Sequence, residues 1–350
     1  MKITLAIACL QQGGTEQQTL QQARVLRDAG HDVTVCCYFE HDPAIVAAFE
    51  RLGARVMLLS LDRAISAWRL TGTLRNIFAS LKPDLLHVQY MTPGLLPIIA
   101  ARLARVPRVF ATVHQPATPY GAQARALLRL AARLCERFIC VSEAAERSWF
   151  GSVNEGRHLT IHNAVDTRRI EELVRATSTS TGLVIGAVSR LRHEKGVDVL
   201  LDAFAIVQKQ FPQAHLLIVG DGPDRAALEQ RATPNVEWAG QQSWERAIAL
   251  MATMDIVVVP SRFEGFGLTA AEAMAAGKPV VASDVDGLRE VVGDAGVLVP
   301  AGDASALAAA LARLANDAAA RAALGRKARE RVENNFSLES FRQKLLACYR

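Results

Sequence analysis

Short apolar runs alternate with amphipathic stretches from one end of the chain to the other. ITLAIACL, DVTVCCY, ARVMLLSL, DLLHV, RVFATV and RFICV are rich in β-branched and large aliphatic residues, and runs of this length between polar segments read as buried strands. Between them TEQQTLQQARVLRDAG, AISAWRLTGTLRNIFASL and ARALLRLAARLCE place apolar residues at helical spacing. Strands that alternate with helices predict a parallel sheet covered on both faces. The pattern pauses at RRIEELVRATSTSTG, whose Thr/Ser run 177–181 and Gly182 read as a connection. It then restarts with LVIGAVS, HLLIVG, NVEWAG, DIVVVP, PVVAS and GVLVP, each followed by a helix. The expectation is an α/β protein of two doubly wound, Rossmann-like domains facing a cleft, with ligands at the carboxyl ends of the strands. We place the first domain at 1–170, the connection at 171–182 and the second domain at 183–336. The amphipathic tail 337–350 is expected to pack back across the domain joint.

Composition fits this division and narrows the setting. A chain of 350 residues has the length of two domains, and its apolar half supplies two large cores. The six cysteines include no CxxC pair and several lie in strand-like runs, a pattern that suits reduced, packed thiols. The opening run MKITLAIACL is too short to span a membrane and lacks a small-residue cleavage site, so a cytoplasmic protein is expected. Charge is uneven. Residues 1–165 carry 18 Lys/Arg against 12 Asp/Glu, and residues 166–350 carry 22 against 23. The basic surplus of the first half favours an anionic or membrane-surface partner.

Four strand-end loops carry candidate chemistry. QQGGTEQQ puts Gly13 and Gly14 before a helix, either as a plain helix start capped by Thr15 or as a glycine turn offering N–H groups to an anion. SRLRHEKG, 189–196, sets Arg190 and Lys195 around another helix start, as solvated charge or as two cations for a diphosphate. VGDGPD, 219–224, has Gly-x-Gly after a strand, but Arg225 stands where a dinucleotide fingerprint needs glycine, and Pro223 reads as a first helical residue. FEGFGLTAAEA, 263–273, holds Glu264 in a loop and Glu272 one turn into a helix, around Gly265 and Gly267. This is an ordinary polar loop with a dipole-facing charge, or a site for a ligand bearing phosphate and hydroxyls. His114 ends the fifth strand. Asp284-Val285-Asp286 matches an Asp-x-Asp metal motif, yet no third ligand lies nearby in sequence, and we read it as a polar loop capping the next helix. P-loop, HExxH and zinc spacings are absent from the sequence.

The order and spacing of QQGGTEQ, NAVD (163–166), SRLRHEKG, GDGP, SRFEGFGLTAAEAMA and SDVDGLREVV closely resemble the retaining GT-B glycosyltransferases of family 4 over nearly the whole chain. The resemblance implies a nucleotide-sugar donor, UDP- or GDP-linked, held mainly by the second domain without a metal or other cofactor. Arg190 and Lys195 would grip the diphosphate and Glu272 the ribose. Glu264, with the amides of Gly265, Phe266 and Gly267, would contact the transferred sugar. Leu268 and Thr269 would sit at the phosphates, and Gly240 and Gln241 of the WAGQ loop against the base. Gly14 would approach the donor from the first domain and His114 the sugar. Catalysis would rest on Glu264, His114, Arg190 and Lys195. The residue after the histidine is commonly acidic in the family and is Gln115 here, which leaves open what orients His114. The implied role is glycan, glycolipid or cell-surface polysaccharide synthesis, with no nucleic-acid partner. A nucleotide-sugar epimerase and a non-catalytic nucleotide-sugar-binding protein are the alternatives. Donor-only product analysis separates the first, and turnover with an acceptor the second.

One stretch concerns the acceptor. ARALLRLAARLCER spaces Arg125, Arg129, Arg133 and Arg137 four apart, along one helix face, with Leu127, Leu130 and Leu134 on another. This is a surface helix whose leucines pack on the sheet, or a docking face for an anionic membrane or a phosphate-bearing, lipid-linked acceptor.

Overall fold

The computed structural model describes residues 1–90, 94–177 and 182–350. Most of the Thr/Ser run, 178–181, lies outside them. The chain forms two compact units: Met1–Asn163 together with Phe341–Arg350, and Ala164–Ser340.

Among the described residues the first unit has seven strands: β1 Lys2–Ile7, β2 Asp32–Cys37, β3 Arg55–Leu58, β4 Leu85–Tyr90, β5 Arg108–Val113, β6 Arg137–Cys140 and β7 His158–Thr160. They form one parallel sheet in the order β3-β2-β1-β4-β5-β6-β7. Ile3, Leu5 and Ile7 on one face of β1 and Thr4 and Ala6 on the other are all buried, as a helix-covered parallel sheet requires. β3 is shorter than its apolar run: it ends at Leu58, opposite Cys37, the last residue of β2, and Ser60 beyond it turns left-handed at φ 46°. The helix Pro43–Arg51 and β7 are not evident from the pattern. Asp42 starts the former by accepting from Ala44 N, with Pro43 at its first position, and β7 is only three residues, HLT.

Among the described residues the second unit has six: β8 Val184–Val188, β9 His215–Val219, β10 Val236–Gly240, β11 Ile256–Val259, β12 Val280–Ser283 and β13 Val297–Val299. They too are parallel, in the order β10-β9-β8-β11-β12-β13. Each sheet reverses its strand order once, between β1 and β4 and between β8 and β11, and the loops leaving those strands are where such folds bind ligands.

The contact division falls at Asn163, ahead of the stretch 171–182. Residues Thr167–Arg175 are a helix of the second unit, capped by Asp166 and tied by Arg329 to Glu171 at 2.8 Å. The last helix, Leu338–Tyr349, delivers Phe341–Arg350 to the first unit, where Tyr349 is 1% exposed and its carbonyl accepts from the Arg108 guanidinium at 2.7 Å.

Candidate active site

In the second unit, the loop after β8 turns through a 3₁₀ segment, His193–Lys195, into the helix Val197–Gln210. The loop after β11 runs from Pro260 to Gly267 and enters the helix Leu268–Ala275. Side chains of the two loops meet: Lys195 Nζ donates to Glu264 Oε2 at 2.6 Å, with 26% and 19% of the side chains exposed. Ser261, buried beside them, also lies 3.4 Å from Glu264 Oε2. A clamp holds the loops together. Arg262 makes a two-pronged bond to Asp198 at 2.7 and 2.8 Å, donates to His193 O at 2.7 Å, and its backbone N donates to Glu194 O at 2.8 Å. The Arg262 guanidinium holds the Asp198 carboxyl below its usual range.

Close backbone packing makes these loops depend on glycine. A Cβ on Gly196, at φ 66°, would lie 2.0 Å from Pro260 O. A Cβ on Gly220, at φ 132°, would lie 1.9 Å from Ser189 O. The neighbour in each case is backbone, so only the residue without a side chain fits. The loop after β9 is thus bound to the loop after β8, also through Leu191 N to Asp221 O at 2.9 Å. Pro223 lies in the turn ahead of the helix Arg225–Glu229 and is not its first residue.

The FEGFG loop is similarly pinned. Phe266 is 2% exposed and meets Phe336 edge-on at 5.3 Å, and Gly287 packs against the backbone of Glu264 and Gly265. Gly267 is the N-cap of a helix whose first N–H groups have no side-chain cap. Leu268 and Thr269 form its first turn. Glu272, on the same helix, accepts from the Trp244 indole at 2.7 Å. Burial pushes its carboxyl up to about 7, the indole bond offsetting part of that rise. Arg190 is exposed, and its guanidinium makes no ion pair among the described residues. Gly240 ends β10 at φ 67° and Gln241 follows it, exposed.

Asp284 and Asp286 do not cap the helix Asp286–Val292, whose N-cap is Val285. Arg289 engages both, at 2.6 and 3.5 Å.

In the first unit, Gly13 rather than Thr15 is the N-cap of the helix Gly14–Asp28. Glu16, 3% exposed, folds back over that start, 3.4 Å from Gln11 N. His114 follows β5. Its Nε2 lies 2.9 Å from Gln89 Oε1, and burial lowers the ring to about 4, so it is neutral at pH 7. Gln115 is not its partner; Gln115 Oε1 accepts from Tyr120 OH instead.

With this geometry in view, the comparisons are specific. Residues 12–169 match the family described as Glycosyltransferase Family 4, and residues 169–331 match Glycosyl transferases group 1. The phosphatidyl-myo-inositol mannosyltransferase of Mycolicibacterium smegmatis is 31% identical over 336 residues, covering 91% of this chain and 86% of that protein. The chain belongs to glycosyltransferase family 4. A glycogen synthase of Mycobacterium tuberculosis is 27% identical over 368 residues, covering 94% of this chain and 88% of its own. The crystal structure of Anabaena Alr3699/HepE in complex with UDP and glucose matches at a TM-score of 0.83 and 22% identity, over 100% of this chain and 99% of that one, which shows the GT-B fold. The chain is therefore a nucleotide-sugar-dependent glycosyltransferase of a retaining family.

Within this family 4 glycosyltransferase, the second unit brings Lys195 and Glu264 into contact and sets Leu268, Thr269 and Glu272 on one helix. The docking row needs correction. The helix is Ala122–Leu134, and Cys135 beyond it is extended, so Arg137 opens β6 and is not on the helix. Arg129 is tied by its Nε to Trp149 O at 2.9 Å. The buried face is Leu128, Ala131 and Ala132, while Leu127 and Leu130 are exposed. Arg262, Asp198, Trp244 and Gly287 escaped the sequence reading. Arg262 sits inside the SRFEGFG motif, and its one signal is its place in a strand-end loop. Trp244 carried none, since its partner is 28 residues away.

Proposed function

We propose that this glycosyltransferase moves a hexose, with retention and without a metal, from a UDP- or GDP-linked donor to a hydroxyl of a glycan or lipid-linked acceptor. The observation that carries the reading is the Lys195–Glu264 pair, held by Arg262 at the switch point of the second sheet, beside the N-terminus of the helix Leu268–Ala275. A diphosphate placed at that helix start takes Lys195 and Arg190 as counter-charges. The Lys195 that leaves Glu264 frees the carboxylate to accept from sugar hydroxyls, with the amides of Gly265, Phe266 and Gly267 alongside. Glu272 accepts from the ribose, Gly240 and Gln241 flank the base, and Gly14 and His114 act on the same donor. As the sugar–phosphate bond breaks, negative charge grows on the diphosphate. Cations and helix N–H groups already in place stabilise it without reorganising, the way an oxyanion hole does. The family retains configuration, and the leaving phosphate is the base we assign to the acceptor proton.

Two observations support an acceptor at an anionic surface. The Mycolicibacterium relative is named a phosphatidyl-myo-inositol mannosyltransferase, and the first half of this chain carries the basic surplus, with Leu127 and Leu130 exposed between Arg125 and Arg133. No helix among the described residues is long and apolar enough to cross a membrane; the proposal is reversible attachment at a cytoplasmic face. Thermal stabilisation across UDP, GDP, ADP and dTDP tests the donor, because a ligand at 100 times its Kd adds about 2.7 kcal/mol. Stabilisation by none of them sinks the site. Turnover is expected to survive EDTA, as Asp284 and Asp286 are engaged by Arg289 and cations occupy the phosphate end; loss with EDTA and recovery with Mn2+ sinks the metal-free step.

A further inference from the structure

A chain of neutral polar groups runs through the interior of the first unit behind His114. His114 Nε2 meets Gln89 Oε1 at 2.9 Å, and Gln89 Nε2 donates to Gln22 Oε1 at 2.6 Å. Gln22 Nε2 donates to Tyr349 OH at 2.8 Å and lies 2.8 Å from His87 Nδ1. Tyr349 OH also meets His87 Nδ1, and His87 Nε2 meets Thr112 Oγ1 at 2.7 Å. His87, Gln22, Gln89 and Tyr349 are each at most 4% exposed. Gln22, Gln89, Thr112 and His114 line a cavity of about 20 Å³.

Hydrogen-bond polarity along this chain is all-or-none. If Gln89 Oε1 faces His114, the ring must carry its proton on Nε2, Gln22 must turn its NH₂ to Tyr349, the phenol must donate to His87 Nδ1, and His87 must carry its proton on Nε2. Turning both amides over reverses every bond and moves both ring protons to Nδ1. Mixing the two would set two N–H groups or two lone pairs face to face in the interior, which is costly. The tautomers of His87 and His114 are therefore coupled, across two glutamines and the penultimate residue of the chain. Both rings are neutral at pH 7, since burial lowers them, His87 to about 3 and His114 to about 4.

We propose that Gln89, oriented by Gln22 and Tyr349, is a positioning residue that fixes His114 as its Nε2–H tautomer, so that its Nδ1 presents a lone pair to a donor-sugar hydroxyl. Nδ1 has no hydrogen-bond partner among the described residues. This rests on the reading above that His114 meets the sugar. The C-terminal helix thus sets the chemistry of His114, because Tyr349 supplies the hydroxyl that holds the far end of the relay.

Nitrogen NMR of the full-length protein with labelled histidines reads the tautomers directly, with the His114 signals assigned by their loss in His114→Gln. The wild type is expected to show His114 and His87 both protonated on Nε2. Gln89→Leu should give His114 a mixture of tautomers and lower kcat about tenfold, with donor KM changed less than twofold. Tyr349→Phe removes the hydroxyl at the far end of the relay and should shift the His87 signals. A wild-type His114 protonated on Nδ1 overturns the proposal, whether or not the variants fold. So does an unchanged tautomer in a folded Gln89→Leu. If His114→Ala leaves kcat intact, the sugar contact fails while the tautomer result still decides the relay, so the two failures are distinguishable.

Discussion

At the switch point of the second sheet, Lys195 and Glu264 form an ion pair, about a quarter and a fifth exposed and braced by the Arg262–Asp198 bond. In the first sheet, the strands β4 and β5 carry His87, Gln89 and Thr112 as neutral groups in a buried chain. Both sheets reverse their strand order at the same place, so topology does not account for the difference. The backbone does. Loops of the second unit lock to one another through glycines and ion pairs, and a locked loop can hold charges at an open surface without burying them. The first unit places its polar residues on the strands themselves, where an ion would be desolvated and only neutral groups persist. Charges held in locked loops can meet an anion, whereas a buried chain of neutral groups can direct hydrogen bonds without supplying charge.

The largest effect is expected from removing the charge. Lys195→Ala should lower kcat about 10²- to 10³-fold, a loss of roughly 2.7–4 kcal/mol, because the diphosphate is most negative as it leaves. Donor affinity, followed by calorimetry, should change much less. A loss confined to affinity would make Lys195 a ground-state anchor.

Next comes the backbone. Gly220→Ala and Gly196→Ala each force a Cβ onto a carbonyl at positive φ, and each should cost about 3 kcal/mol or more. Gly13→Ala in the first unit is the matched control. There φ is an extended −169°, and the nearest atom, at 2.5 Å, is the end of the Glu16 side chain, which can swing away. It should cost under about 1 kcal/mol. Urea midpoints of the three variants decide whether the second unit's loops are the more rigid.

How far the sequence carried differs between these same regions. Strand–helix alternation made both sheets readable, and the charged, glycine-rich loops of the second unit announced themselves because their residue types are costly anywhere else. The clamp was harder to see: Arg262 and Asp198 are 64 positions apart, and nothing in either local pattern names the partner. The relay was invisible for a stronger reason. Gln22, Gln89 and Tyr349 stand in ordinary helix and strand patterns, and only the return of the last helix to the first unit brings them together. The arginine row failed on a boundary. Spacing of four extends a helical face indefinitely on paper, whereas the backbone turns extended at Cys135.

A pH effect follows from Glu272. Its folded value of about 7 lies above its ordinary 4.5. Between these the folded chain holds a proton that the unfolded chain has released, so stability falls as pH rises from about 4.5 and the cost is complete above about 7. In the proposed donor site ribose hydroxyls would donate to the ionised carboxylate and favour it, so donor binding near pH 6.5 should release a proton. Calorimetry in buffers of different ionisation enthalpy reads that release, and Glu272→Gln should abolish it while weakening binding by roughly 1.5–3 kcal/mol. Trp244→Phe removes the bond that lowers the carboxyl and should move the transition to higher pH. Proton release that persists in Glu272→Gln would assign it elsewhere.

The smallest effect, and the one that tests the basic surplus, concerns the helix Ala122–Leu134. A row of four arginines would add about 4 kcal/mol of attraction to an anionic bilayer, at about 1 kcal/mol each. The corrected row is shorter. Arg137 is on a strand, and Arg129 spends its Nε on the carbonyl of Trp149, so reaching a lipid phosphate would cost it that bond. Arg125 and Arg133 remain, with Leu127 and Leu130 exposed at 46% and 43% between them. Charge and apolar contact then make distinguishable contributions, because salt screens the first and leaves the second. Arg125→Gln and Arg133→Gln should each weaken binding to anionic vesicles about fivefold and flatten its salt dependence. Leu127→Ser with Leu130→Ser should weaken binding at every salt concentration without changing that slope. Arg129→Gln should act mainly on stability, through the lost bond to Trp149. Co-sedimentation with anionic and neutral vesicles at low and high salt measures all three. Equal binding to both vesicle types, or wild-type binding by the doubly substituted Arg125 and Arg133 protein, would leave this helix as a solvated surface and move the acceptor question away from the membrane.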